Sequence, residues 1–160
     1  MTKQISADDY QSLAELRHQI RRFLHFSEQA ARSAGLEPRQ HQLLLALKGL
    51  PQGARPRVAE IAERLQIQHH SAVELVNRLV SRGFVRRDRA GEDRREVFVC
   101  LTSKAHKVLR ELSLHHRSEL AAAGPALLGA LRQVMRGRSR RGGSARKGGE
   151  KQSNKNGRAA

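Results

Sequence analysis

The chain has 160 residues and a formal net charge of +16, long enough for one domain with a real core and basic enough to make duplex DNA the expected partner. Four Phe, one Tyr and no Trp supply too few rings for a module that stacks single-stranded bases, so the core must rest on Leu, Val, Ile and Ala. A single cysteine excludes an intramolecular disulfide and fits a reducing compartment. The polar start MTKQISADDYQS has no apolar signal segment, and the longest apolar run, residues 43–47, is too short to span a bilayer. A cytoplasmic protein without membrane contact is expected.

From Tyr10 to about Ala34, apolar positions recur with a helical period at Leu13, Leu16, Ile20, Phe23, Leu24, Ser27 and Ala30. Gly35 supplies a stop, and Pro38 opens a second helix, about 38–50, that carries Leu43, Leu44, Leu45 and Leu47 and is mostly buried. GLPQGARP (49–56) is a loop. A third helix, about 58–65, puts Val58, Ile61, Ala62 and Leu65 on one face. After the turn LQIQ, a fourth helix, about 69–82, turns Ala72, Leu75, Val76 and Leu79 inward and ends at Gly83. Its outward residues are His69, His70, Ser71, Val73, Glu74, Asn77, Arg78 and Arg82.

FVRRD and EVFVCL have strand character, joined by the charged tip AGEDRR with Asp93, Arg94 and Arg95. Thr102 is placed to N-cap a long fifth helix whose buried stripe holds Ala105, Val108, Leu109, Leu112 and Leu120. Gly124-Pro125 is expected to break that helix, with residues 126–135 forming a short sixth. From Gly137 onward, eight Lys/Arg stand against Glu150 alone with no apolar period, so 137–160 is expected to be a disordered basic tail.

The expected fold is therefore mainly α with a small β-hairpin wing. It is a winged helix-turn-helix in residues 1–136, with the DNA-binding lobe at about 38–101. Long N- and C-terminal dimerisation helices flank the lobe at about 10–34 and 102–135. Such a module places one helix in a major groove and a basic loop in the adjacent minor groove. At the wing tip, Asp93, Arg94 and Arg95 are expected at that minor groove, where concentrated negative potential favours a guanidinium without any base-specific bond. Ser71 and Asn77 can bond base edges or phosphates, and Arg78 is open between DNA and a structural ion pair.

His69 and His70 are expected to contact DNA; as neighbours they diverge and chelate poorly. Two half-sites need two copies, so Leu13, Leu16, Ile20, Phe23, Val108, Leu109, Leu112, Leu127, Leu128 and Leu131 are expected in a core shared by a homodimer. No Gly-rich phosphate loop, nucleophile elbow or HExxH occurs, so neither catalytic residues nor a cofactor is expected.

The segment VAEIAERLQIQHHSAVELVNRLVSRGFVRRDRAGEDRREVFVCLT resembles the helix-turn-helix and wing of multiple antibiotic resistance regulator (MarR) family repressors. GLEPRQHQLLLALKG resembles that family's second helix, and residues 10–135 follow its order of six helices and a wing. The resemblance implies a homodimeric transcription factor, generally a repressor, on a pseudo-palindromic operator. It also implies release by a small, often phenolic or anionic ligand that enters a cleft between the lobe and the dimer helices. The family's Asp-x-Arg wing motif, whose arginine enters the minor groove, falls on Asp93 and Arg95; Asp93 would restrict the rotamers of Arg95, and Arg94 replaces it if the register shifts by one. Two positions depart from the pattern: Gln68 replaces the usual Ser/Thr cap, and Asn77 stands where aspartate is common.

Some relatives sense zinc. His18, His25, His41, His106, His115 and His116 lie on helices that could line the cleft, but no HxxxH pair exists and Cys100 lies in the wing, so no metal site is expected. Nor does any cysteine lie near the first helix, where the family's peroxide sensors carry theirs; Cys100 is expected simply to pack. An architectural, nucleoid-type protein that binds DNA with little regard to sequence is the alternative reading, through the basic wing and tail.

Overall fold

The computed structural model describes residues 5–89 and 96–142, with side chains described as far as residue 136. The described residues form α1 (Ala7–Ser33), α2 (Pro38–Lys48), α3 (Val58–Leu65), α4 (His69–Ser81), β1 (Val85–Arg89), β2 (Val97–Leu101) and α5 (Ser103–Gly142). The mainly helical fold with a two-stranded wing is thus the one the sequence pattern implies. None of the described helices is long and apolar enough to cross a membrane.

The chain divides into two units, Arg21–Gly124 and a second made of Met1–Ile20 with Pro125–Ala160. The first has its own core. Leu36, Leu43, Leu44, Ile61, Val76, Leu79, Val85 and Val99 are its largest fully buried side chains, and Ala105, Leu109 and Leu112 of α5 join the same cluster. In the second unit Ala130 is buried, whereas Tyr10, Leu13, Ile20, Leu128, Leu131 and Met135 each keep more than a third of their surface exposed.

Local chemistry sets the helix ends. Ser6 and Asp9 cap α1 reciprocally: the Ser6 amide donates to Asp9 Oδ2 at 2.9 Å, and the Asp9 amide to Ser6 Oγ at 3.3 Å. This box starts the helix at Ala7, earlier than the apolar period alone indicates. Pro38 sits at the start of α2, where its missing N–H costs nothing, and Glu37 and Gln40 form a second capping box.

The expected break at Gly124-Pro125 does not occur. α5 runs from Ser103 to Gly142 with Pro125 inside it, so there are five described helices rather than six. Proline removes the bond to the Ala121 carbonyl at a cost of about 3 kcal/mol. The surrounding AAA and ALLGALRQVM stretches are strong helix formers and carry the helix through. α5 also passes Gly137, the expected start of the tail, and reaches Gly142; residues 143–160 lie outside the described residues.

Candidate nucleic-acid interface

The turn between α3 and α4 is made by Gln66, a non-glycine residue in the left-handed region at φ 53°. The strain is met locally. Gln66 Nε2 donates to the Glu63 carbonyl at 2.8 Å, and the Ile67 amide to the Ala62 carbonyl at 3.0 Å. Ile67 packs on the core and brings the chain back for α4, which begins at His69 without a side-chain cap from Gln68.

Packing then fixes the rotation of α4. Ala72, Leu75, Val76 and Leu79 are buried, and His69, His70, Glu74, Asn77 and Arg78 are exposed, with Ser71 and Val73 half-buried. Gly83, at φ 72°, closes the helix with a bond from its amide to the Val80 carbonyl at 3.0 Å and one from Phe84 to the Leu79 carbonyl at 2.9 Å. Arg78 forms no ion pair with a described residue.

Arg82, expected among the outward residues, has partners within the lobe. Its guanidinium donates to Gln40 Oε1 and to the Gly35 carbonyl, each at 2.6 Å, and lies over the Phe84 ring at 5.2 Å. Arg82 is the C-cap of α4. From there its side chain reaches back to α2 and the end of α1 while remaining exposed.

The wing is an antiparallel pair with Val85 opposite Leu101, Arg87 opposite Val99 and Arg89 opposite Val97. Its second strand is fastened along its length to the loop before α3. The Val99 amide donates to the Pro56 carbonyl at 2.8 Å, and Glu96 accepts from both Arg55 and Arg57. On one face of the ribbon Arg86 pairs with Asp88; on the other, Arg87 reaches α4 and donates to Asn77 Oδ1. Arg87 and Arg89 are exposed cations on one face of the ribbon, Arg87 against Asn77 of α4. The sequence reading missed them, although the alternation Val85, Arg87, Arg89 already puts them on one side. Asp93, Arg94 and Arg95 lie outside the described residues.

Cys100 is half-buried, opposite Arg86. Burial pushes its thiol pKa up, and the hydrogen bond and charge of Asp88 push it further. A thiol held protonated is a poor nucleophile, which fits a packing role.

The lobe also holds a histidine pair that sequence spacing did not reveal. The rings of His41 on α2 and His116 on α5 stack with centroids 5.0 Å apart and planes 18° from parallel. His116 Nδ1 donates to the Leu112 carbonyl at 2.5 Å, which leaves Nε2, 2.7 Å from Ser27 Oγ, to accept from that hydroxyl. Phe23 and Phe26 meet the His116 ring edge-on. His41 is buried, and burial, followed by the charge of His116, lowers its pKa to about 4. No group of three or more potential metal ligands occurs among the described residues.

The expected dimer residues separate into two groups. Leu109 and Leu112 belong to the lobe's own core, 3% and 4% exposed, because the first turns of α5 pack onto it. They are corrected from interface to core. Val108 is half-buried against the same cluster. Leu13, Ile20, Leu128 and Leu131 are exposed, and Leu16, Phe23 and Leu127 half-buried.

A helix, tight turn, second helix and antiparallel hairpin on one core make the lobe a winged helix-turn-helix. Residues 34–96 match the family model described as MarR family. An uncharacterized HTH-type transcriptional regulator of Bacillus subtilis, YfiV, is 41% identical over 56 residues, or 35% of each chain. The match thus spans about a third of that curated relative.

Among solved structures, AbsC, a MarR family transcriptional regulator of Streptomyces coelicolor, superposes with a TM-score of 0.67 at 19% identity, covering 88% of this chain and 97% of its own. Sco3205, a MarR family regulator from the same organism solved in complex with DNA, gives 0.64 at 22% identity, covering 93% and 97%. At such identities the likeness is one of fold.

Proposed function

We propose that the chain is a DNA-binding transcriptional regulator that works as a homodimer on a pseudo-palindromic operator. The observation that carries this reading is the sidedness of α4. One face, Ala72, Leu75, Val76 and Leu79, is buried; the other presents His69, His70, Glu74, Asn77 and Arg78, with Arg87 of the wing against Asn77 and Arg89 on the same face of the ribbon. A helix of this kind fits a major groove, and flanking arginines suit the phosphates on either side. On this reading Asp93 and Arg95 at the wing tip enter the minor groove.

The homodimer is supported by the apolar side chains left exposed on α1 and α5: Leu13, Ile20, Leu128, Leu131 and Met135. A second copy of the same helices is their natural cover. Repression, with release by a small effector, follows from the family resemblance. An effector that prefers a dimer geometry with the wrong spacing of its two α4 helices lowers operator occupancy through that difference in affinity alone. The working compartment is then the cytoplasm.

The net charge of +16 favours one competing reading, an architectural protein that binds duplexes of any sequence. Footprinting on the DNA upstream of the chain's own gene, followed by titration of that site against random duplex at fixed salt, decides between them. A regulator is expected to prefer its operator by about a thousandfold or more. Equal affinity for both duplexes refutes the regulator and leaves the architectural protein.

A further inference from the structure

We infer that Arg87 is a positioning residue for Asn77, turning its carboxamide so that it offers hydrogen-bond donors to the base edge and selects guanine over adenine. The inference rests on α4 entering the major groove, as proposed above.

The geometry starts with the wing register. Arg87 stands opposite Val99, and residues paired across two antiparallel strands share a face. Val99 is buried at 1% exposure, so this face looks onto the lobe, and the Arg87 side chain leaves the ribbon beside α4. Arg86 and Asp88 leave from the opposite face and pair with each other. Asn77 lies on the same helical stripe as His70, Val73 and Glu74, exposed, with Arg87 as its side-chain partner.

A guanidinium carries five N–H donors and no acceptor, whereas a carboxamide has an acceptor oxygen at one end and a donor NH2 at the other. Only the oxygen can face Arg87, because the flipped amide would set donors against donors. The chemistry of the pair therefore fixes the orientation of Asn77.

That orientation has a consequence for base reading. Free asparagine reads adenine with both ends, Oδ1 accepting from N6 and Nδ2 donating to N7. With Oδ1 turned to the wing and a positive charge beside it, the N6 amino group of adenine meets a competing donor. The NH2 end remains available. Guanine offers it two adjacent acceptors, N7 and O6, and no major-groove donor.

The test is selection of the full-length protein on a randomised duplex pool, reading the base preferred at each position. Wild type is expected to select guanine at one position of each half-site. Arg87→Met is expected to shift the guanine-to-adenine ratio there by about tenfold toward adenine and to leave the other positions alone. Arg87→Lys, which also brings a donor to Oδ1, is expected to keep guanine. Asn77→Asp still pairs with Arg87 but has no donor to offer, so it is expected to lose the preference.

Equal ratios at every position for wild type and Arg87→Met overturn the inference, as does an Asn77→Asp protein with an unchanged consensus. An Arg87→Met protein that binds no duplex also overturns it, since Arg87 then holds DNA directly. Wild type yielding no consensus at all instead removes the sequence-specific regulator, and this inference with it.

Discussion

Acidifying the protein from about pH 7.5 to about pH 5 is expected to cost the lobe about 2 kcal/mol through His41 alone. In the unfolded chain this imidazole titrates near its ordinary 6.5, whereas burial and the neighbouring His116 hold it down to about 4 in the fold. The unfolded state therefore binds the proton first. The stability His41 contributes is complete above pH 6.5 and is lost as the pH falls toward 4, where the deficit reaches about 3 kcal/mol. The loss falls where α1, α2 and α5 meet, because the ring stacks on His116, which is itself tied to Ser27 and the Leu112 carbonyl.

Urea denaturation at fixed protein concentration, at a series of pH values, measures the effect in wild type and in His41→Gln, whose amide does not titrate. Groups not coupled to His41 contribute equally to both proteins, so the difference between the two stabilities reports His41 together with its coupling to His116. It is expected to change by about 2 kcal/mol between pH 7.5 and 5, wild type losing more. Two parallel stability curves would refute the argument.

Three further outcomes follow from where side chains sit. Leu112→Ala is expected to destabilise the lobe by about 2–4 kcal/mol, read by denaturation, because it empties a site in a packed core. Leu128→Asp, at a site 46% exposed, is expected to leave the helical content intact but to give monomers in sedimentation at micromolar concentration; a dimer as tight as wild type would remove α5 beyond Pro125 from the interface. Arg82→Ala is expected to lose about 1–3 kcal/mol of stability, with operator affinity of the folded protein unchanged. A stable variant with weakened DNA binding would return Arg82 to the interface.

Burial periodicity made the lobe legible. The inward set of α4, the boundaries of α3, the turn at Gly83 and the alternation of the wing strands all express one physical rule, that apolar side chains repeat with the period of the element that buries them. What escaped depends on partners far away in sequence. Arg82 reads as an outward cation until Gly35 and Gln40 are seen to receive it. His41 and His116 have no sequence spacing that signals a stack. Leu109 and Leu112 lie on a stripe equally suited to a partner or to the chain's own core, and nothing in the stripe says which.

Pro125 shows the opposite failure. A local breaker was overruled by the helix formers on both sides of it. The Ser6–Asp9 box was readable from residue types alone, but an apolar period starting at Tyr10 hid it.

The junction between the wing and α5 has a mechanical meaning. The Thr102 amide donates to the Phe84 carbonyl at 3.1 Å, and its hydroxyl lies 2.8 Å from the Gly83 carbonyl. Lys104 Nζ bonds the Arg82 carbonyl at 2.9 Å and sits over the Phe84 ring, with Arg82 on the same ring. Residues 82–84 and 102–104 are thus riveted across the root of the hairpin, so the hairpin cannot act as a slack tether between the helices it joins. Tilting the first turns of α5 levers the last turn of α4 with it, and the wing rides along as a passenger on that joint.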